Sequence, residues 1–340
     1  MPERLAGGGQ TPRTHRQQCH GLLGDYAGMA AVLAALIVFF ALKTEFFLTR
    51  DTFLAIANQV PAAVVIAVGM TFVLIIAEID LSVGSVVGFS SAVLGVVLAR
   101  ASWPLVAAIP ACLLTGVACG LLSGALVLRW RIPSFMVTLG MLEMARGATY
   151  LITGTRTQYI GSQIQAVSSV SLFGLTLPAL IAVVAVVAGQ FVLSSTVFGR
   201  HMIALGSNAE AARLSGISTA RIRATVFMLC GGMAALGALI TTARIGSADP
   251  NVGTGFELQA IAAAVIGGTS LMGGRGSVVN SFFGVLIIAV LGTGLTQVGA
   301  GEPVKRLITG AVIIAAVIVD HYRTRLSASP PGPLSLRERG

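Results

Sequence analysis

Three groups of residues have the types and spacing to do chemistry. Ser207 and Glu210 form an S-x-x-E box, in which hydroxyl and carboxylate satisfy each other's end of a helix's first turn. Ala209, Ala211, Ala212, Arg213 and Leu214 are good helix formers and Gly216 is a C-terminal stop, so the spacing predicts a two-turn helix over 208–215. An isolated helix in water needs roughly 12–15 residues, so this one must pack on something: a partner protein or its own chain. The second group is charges within or beside apolar runs, where a lone one at mid-bilayer costs about 2.5–3.5 kcal/mol. Glu143 and Arg146, three apart on one helix face, are expected to neutralise each other as a structural pair, with a transport role as the alternative. Asp80, two residues before Ser82, is read as a cap for the next helix; a place in a substrate path or at a partner contact is the sharper reading. The third group is Asp249-Pro250-Asn251 with Gly253-x-Gly255-Phe256-Glu257, expected in an outer loop between the seventh and eighth spans. Its acceptors, donors and aromatic face suit a neutral hydroxylated ligand at an entrance or docking surface; equally, it reads as a Pro/Gly turn with solvated side chains.

The elements that must position these groups are apolar. Of 340 residues 55% are hydrophobic and 10% charged, against about 25% charged in soluble domains, which excludes a water-soluble globular enzyme. Apolar runs at 26–42, 56–77, 86–99, 105–128, 136–152, 175–193, 222–243, 259–273, 280–298 and 307–319 predict an all-α polytopic membrane protein with about ten spans. Runs 86–99 and 259–273 fall short of the roughly 20 residues a crossing needs, so they borrow polar flanks or are interrupted in the membrane. Gly84-Ser85-Val86-Val87 recurs as Gly276-Ser277-Val278-Val279, a weak internal echo as readily due to chance as to a repeat.

Residues 1–21 form a polar N-terminal segment, 22–322 the membrane domain with a large polar loop at 194–223, and 323–340 a Pro-containing tail expected to be disordered. The first apolar run lacks a small-residue cleavage site and is read as a retained span. With the N-terminus inside, fourteen Lys/Arg fall in inside segments and seven outside, which predicts both termini in the cytoplasm. The net charge of +9 rests on arginines scattered between spans and does not indicate nucleic acid. Cys19, Cys112, Cys119 and Cys230 lack metal-site spacing and read as packing residues. His15, His20, His201 and His321 lie outside the spans, so no Ser–His pair forms at bilayer depth and an intramembrane hydrolase is set aside. A proton-coupled secondary transporter titrating Asp80 or Glu143 is one reading of such a membrane protein.

Glu210-Ala211-Ala212-x-x-x-Gly216 resembles the cytoplasmic coupling loop of ABC-importer permeases. Ile79-Asp80-Leu81-Ser82-Val83-Gly84-Ser85, Ile132-Pro133-Ser134-Phe135-Met136-Val137-Thr138-Leu139-Gly140 with Ala145-Arg146-Gly147, and Ala260-Ile261-Ala262 through Gly267-Gly268-Thr269-Ser270-Leu271-x-Gly273-Gly274-Arg275-Gly276-Ser277 are similar to the ribose/xylose-type sugar permeases. The resemblance spans roughly 45–320; Glu78 stands where that family usually shows Gly. It implies an inner-membrane permease that imports a monosaccharide, ribose-like or related, by alternating access. It also implies a second permease chain (homo- or heterodimer), a sugar-binding protein, surrounding membrane lipid and a separate ATPase subunit. No G-x-x-x-x-G-K-[ST] occurs in the chain, so ATP is expected on the partner and no cofactor on this chain. Ser207, Asn208, Glu210, Ala211, Ala212, Arg213 and Gly216 would then form the ATPase-coupling loop, with Arg213, Arg221 and Arg223 offered to acidic groups on the ATPase. Asp80, Ser82, Asp249, Asn251, Phe256 and Glu257 are the candidate substrate path or entrance.

Overall fold

The computed structural model describes residues 15–172 and 175–327. Thirteen helices run through the described residues: α1 (His15–Lys43), α2 (Arg50–Ile75), α3 (Val83–Ala99), α4 (Leu105–Trp130), α5 (Ser134–Thr153), α6 (Ser162–Ser169), α7 (Leu177–Ser195), α8 (Val197–Ser207), α9 (Ala209–Leu214), α10 (Thr219–Ile245), α11 (Phe256–Ile266), α12 (Val278–Gln297) and α13 (Glu302–Ser327). The ten predicted apolar runs fall on ten of them, and α9 is the predicted short helix. Five helices, α2, α4, α7, α10 and α12, are long and apolar enough to cross a membrane, with shorter apolar ones at 27–43, α3 and α11. α13 continues to Ser327, into the stretch expected to be tail; the rest of the tail and residues 1–14 lie outside the described residues.

α2 is the axis of the bundle. From Val64 to Ile75 every residue is buried, as expected of a helix that is apolar all round. α10 packs on α4 through glycines: a Cβ on Gly120 would strike the Phe227 carbonyl, and one on Gly116 the Gly231 carbonyl. In a membrane, where lipid competes equally for apolar surface, such close backbone approach is what holds helices together. The polar ends are tied across elements. Arg100, just past α3, donates to the Ile152 and Thr153 carbonyls that end α5, at 3.0 and 2.8 Å, and to Gln158 Oε1 at 2.9 Å. Gln190 Oε1 of α7 accepts from the Val278 amide at 3.0 Å, covering the open start of α12. Two short antiparallel ladders complete the fold. β1 (Gln158–Tyr159) pairs with β4 (Ser247–Ala248), and β2 (Ser171–Leu172) with β3 (Leu175–Thr176).

The β1–β4 ladder marks one end of the bundle and α9 the other. α2 and α3 are separated by an irregular break at 76–82, and α11 and α12 by one at 267–277, both toward the α9 end. The internal echo falls at these breaks: Gly84–Val87 lies in the first turn of α3, and Gly276–Val279 spans the start of α12. α11, at 11 residues, covers about 16 Å and cannot cross the roughly 30 Å hydrocarbon core.

Candidate functional site: a capped lever and two helix breaks

α9 is held at both ends. Its N-cap is Asn208, whose Oδ1 accepts from the Glu210 and Ala211 amides at 3.1 and 2.9 Å. The expected cap by Ser207 is corrected by one residue, because the Ser207 hydroxyl donates instead to the Ile203 carbonyl of α8 at 2.8 Å. Nor does Glu210 reach back to complete a box; it takes Arg213 in a two-point pair at 2.6 and 3.0 Å. The guanidinium holds the Glu210 carboxyl below its ordinary range through that hydrogen bond and its charge. At the other end Gly216, at φ +80°, donates to Arg213 O at 3.0 Å and Ile217 to Ala212 O at 3.1 Å, a left-handed closure that favours glycine. Ala212 is the one buried residue of α9, while Leu214 is 73% exposed. The sequence reading counted Leu214 only as a helix former; its apolar side chain at the tip of a polar helix is the missed signal.

Of the three arginines offered to a partner, two are engaged within the chain. Arg213 holds Glu210, and Arg223 Nε lies 2.9 Å from Glu78 Oε1, tying the start of α10 to the first break. Arg221 is exposed.

The base of the lever, the end of α8, packs on the end of α2 and on the second break, which in turn meets the first. Gly274 of the second break donates to the Ile75 carbonyl at the end of α2, at 2.9 Å. Gly206, next to the lever, packs where a Cβ would strike Ile75 O and Gly274 N, and Gly273, at φ +81°, packs on Ala77 and Gly206. Any side chain at these positions would push the segments apart. The irregular backbone of the first break is satisfied by α5: Ile79 N donates to Ser134 Oγ at 3.0 Å and Leu81 N to Thr138 Oγ1 at 3.1 Å. Asp80 is buried and its Oδ1 accepts from the Ser82 amide and hydroxyl at 2.9 and 2.6 Å, so its carboxylate shapes the turn that leads into α3 through Ser82, one residue short of the helix amides that the capping reading names.

Segment 249–257 is not an outer turn. From β4 it descends along α3, in a groove left by Gly84, Gly88 and Gly95, which share one helix face. Ala248 packs against Gly95, the Val252 carbonyl against Gly88, and Gly253 with the Glu257 carboxylate against Gly84. The descent from Gly95 to Gly84 covers about 16 Å of helix rise. α11 therefore starts deep in the bundle. The Pro/Gly composition that reads as a solvated turn instead supplies the narrow backbone a helix groove accepts.

Arg146 holds this segment in place. Its Nη1 donates to the Pro250 and Val252 carbonyls at 2.8 and 3.3 Å, and Tyr150 Oη donates to Asn251 Oδ1 at 3.1 Å. The expected Glu143–Arg146 pair is thereby corrected: no ion pair joins the two among the described residues, and Glu143 is exposed. Carbonyls of an irregular segment packed on a helix need donors, and the guanidinium of Arg146 reaches across from α5 to two of them. Asp249 accepts from the Asn251 amide at 2.7 Å and from Thr157 Oγ1 at 3.3 Å, so it shapes the segment's start. Phe256 is half-buried against the core. Asp80 and Glu257, far apart in the sequence, both border the first turn of α3, where the helix dipole favours negative charge. Discontinuous helices whose ends meet in this way are how transporters build solute paths.

The family described as branched-chain amino acid transport system / permease component matches residues 52–317. The ribose import permease RbsC of Haemophilus influenzae is 36% identical over 295 residues, 85% of this chain and 91% of that one. RbsC of Escherichia coli K12 is 35% identical over 92% and 99%, and the L-arabinose ABC transporter permease AraH of Azospirillum brasilense 34% over 87% and 88%. No solved structure matches. These relatives favour an ABC importer component over a proton-coupled transporter, and the chain belongs to this family of ABC importer permeases, multi-pass proteins of the inner membrane.

Proposed function

We propose that this permease passes a monosaccharide inward by alternating access, driven through α9 by ATP bound and hydrolysed on a separate subunit. The relatives named for ribose, arabinose, fructose and allose support the substrate class. The observation that carries the coupling is α9 itself, a doubly capped, exposed helix carried on the end of α8, where Gly206 packs on the end of α2 and on the second break. Closure of ATPase domains around α9 would displace Gly206, which packs on Ile75 and Gly274; the breaks, and with them the start of α3, would follow. The arginine bias supports a cytoplasmic position for the α9 end and both termini. A sugar-binding protein would then dock at the β1–β4 end, and a second permease chain, identical or related, would complete the path. Leu214, Ala211 and Ala209, all exposed, are the surface α9 offers the ATPase.

A photo-crosslinker at position 214 tests this reading. In membranes holding the assembled importer it is expected to give an ATPase adduct, while one at the exposed Leu42 of α1 gives none. Absence of the adduct at 214 would remove α9 from the coupling role.

A further inference from the structure

We propose that the crevice between α2, α11, α12 and α13 is the far-end port for the sugar, with Gln59 and Gln259 as the residues that set its specificity. The proposal rests on the monosaccharide-importer reading above and deepens it.

The crevice encloses about 560 Å³, within the roughly 300–1,000 Å³ of small-molecule sites. Glu302, Lys305 and Arg306, at the start of α13, stand at its mouth. Gly255 and Phe256, where the descending segment becomes α11, belong to its lining, so it leads toward the region where α11 meets the first turn of α3. Most of its wall is apolar, as at Ala63, Ile66, Ala263 and Val285. Into this wall project two carboxamides, Gln59 from α2 and Gln259 from α11, both exposed. Among the described residues neither side chain makes a hydrogen bond to the protein.

Two free carboxamides facing lipid tails would each forgo hydrogen bonds at a cost of several kcal/mol, so their presence marks a hydrated passage. A carboxamide offers two donors and an acceptor without charge, which matches the vicinal hydroxyls of a neutral sugar. Phe256, lining the same space, supplies an apolar face for the sugar's C–H side. Behind the mouth, where Glu302 holds Lys305 at 2.8 Å and Arg306 at 3.5 Å, the polar groups that line the crevice are uncharged. A neutral polyhydroxylated solute is therefore the occupant these groups fit, ahead of a phospholipid.

The test uses the permease assembled with its ATPase and binding protein in sealed vesicles, in a Cys19→Ser background. Gln59→Cys and Gln259→Cys are treated from the far side with a membrane-impermeant thiol reagent, and D-ribose, L-arabinose, D-fructose and D-allose are the sugar probes. Both cysteines are expected to react at least about tenfold faster than buried Cys230, and more slowly during turnover with the transported sugar. Gln59→Ala and Gln259→Ala should each lower the maximal uptake rate about twofold to tenfold, the size of one neutral hydrogen bond, with the KM for loaded binding protein unchanged. Cysteines that react only with a lipid-soluble reagent would make the crevice a lipid groove and overturn the proposal. Wild-type uptake in the double Gln→Ala variant would also overturn it. If the unmodified assembly transports none of the four sugars, the monosaccharide reading fails and the port falls with it, an outcome told apart because the wild type is already silent.

Discussion

Leu214→Asp is expected to reduce sugar uptake at least tenfold while the permease still inserts and the ATPase keeps its basal turnover. Leu214 is 73% exposed at the tip of α9 and contributes nothing to the core, so folding is unaffected by its loss. Seated in a groove of another protein, a leucine contributes about 1.5–3 kcal/mol of apolar burial. An aspartate there forfeits that gain and adds the cost of desolvating a charge, so tenfold, about 1.4 kcal/mol, is the smaller estimate. Leu214→Met keeps volume and apolar character and should transport near the wild-type rate. The exposed Glu210–Arg213 pair is worth little by itself. What keeps six residues helical is Asn208 at one end, Gly216 at the other and the anchor at Ala212. Uptake and ATP turnover measured together separate lost coupling from lost protein. Equal uptake by Leu214→Asp and wild type would contradict the docking surface.

Arg146→Met should destabilise the permease by about 3 kcal/mol or more, whereas Glu143→Gln should leave its stability within about 0.5 kcal/mol of wild type. The guanidinium donates to two carbonyls of the descending segment; hydrogen bonds to a charged group contribute about 1.5–3 kcal/mol each, and their loss leaves Pro250 and Val252 without these donors. Hydrogen exchange or limited proteolysis over 249–255 in detergent, beside the melting temperature, reads the effect where it arises. Equal destabilisation by the two substitutions would restore the ion pair suggested by their spacing.

That spacing shows what the sequence carries and what it does not. The helices are legible because apolar runs separated by arginine-bearing gaps have few other structures open to them in a bilayer. Gly216 announces the end of α9, since only a left-handed turn closes it at that point. Its beginning is misjudged by one residue because Ser207 and Asn208 are both good caps, and the choice falls to Ile203, whose carbonyl takes the Ser207 hydroxyl. Segment 249–257 is read on the wrong side of the surface for a different reason. Whether a Pro/Gly stretch meets water or a groove depends on the facing helix, and the small residues of α3 lie more than 150 positions upstream. Arg146 and Glu143 suit each other along one helix, but the carbonyls of Pro250 and Val252, brought close only by the fold, are what Arg146 takes. The convergence of Asp80 and Glu257 at α3 has the same origin: each is visible alone, and their meeting is tertiary.

Uptake of radiolabelled sugar into sealed vesicles tests the central claim most directly. Vesicles holding the permease, its ATPase, internal ATP and external sugar-loaded binding protein should concentrate the sugar. Omission of the ATPase or the nucleotide should reduce accumulation to leakage, with or without a proton gradient. Accumulation by the permease alone, supported by a proton gradient, would contradict a gate whose energy arrives through α9.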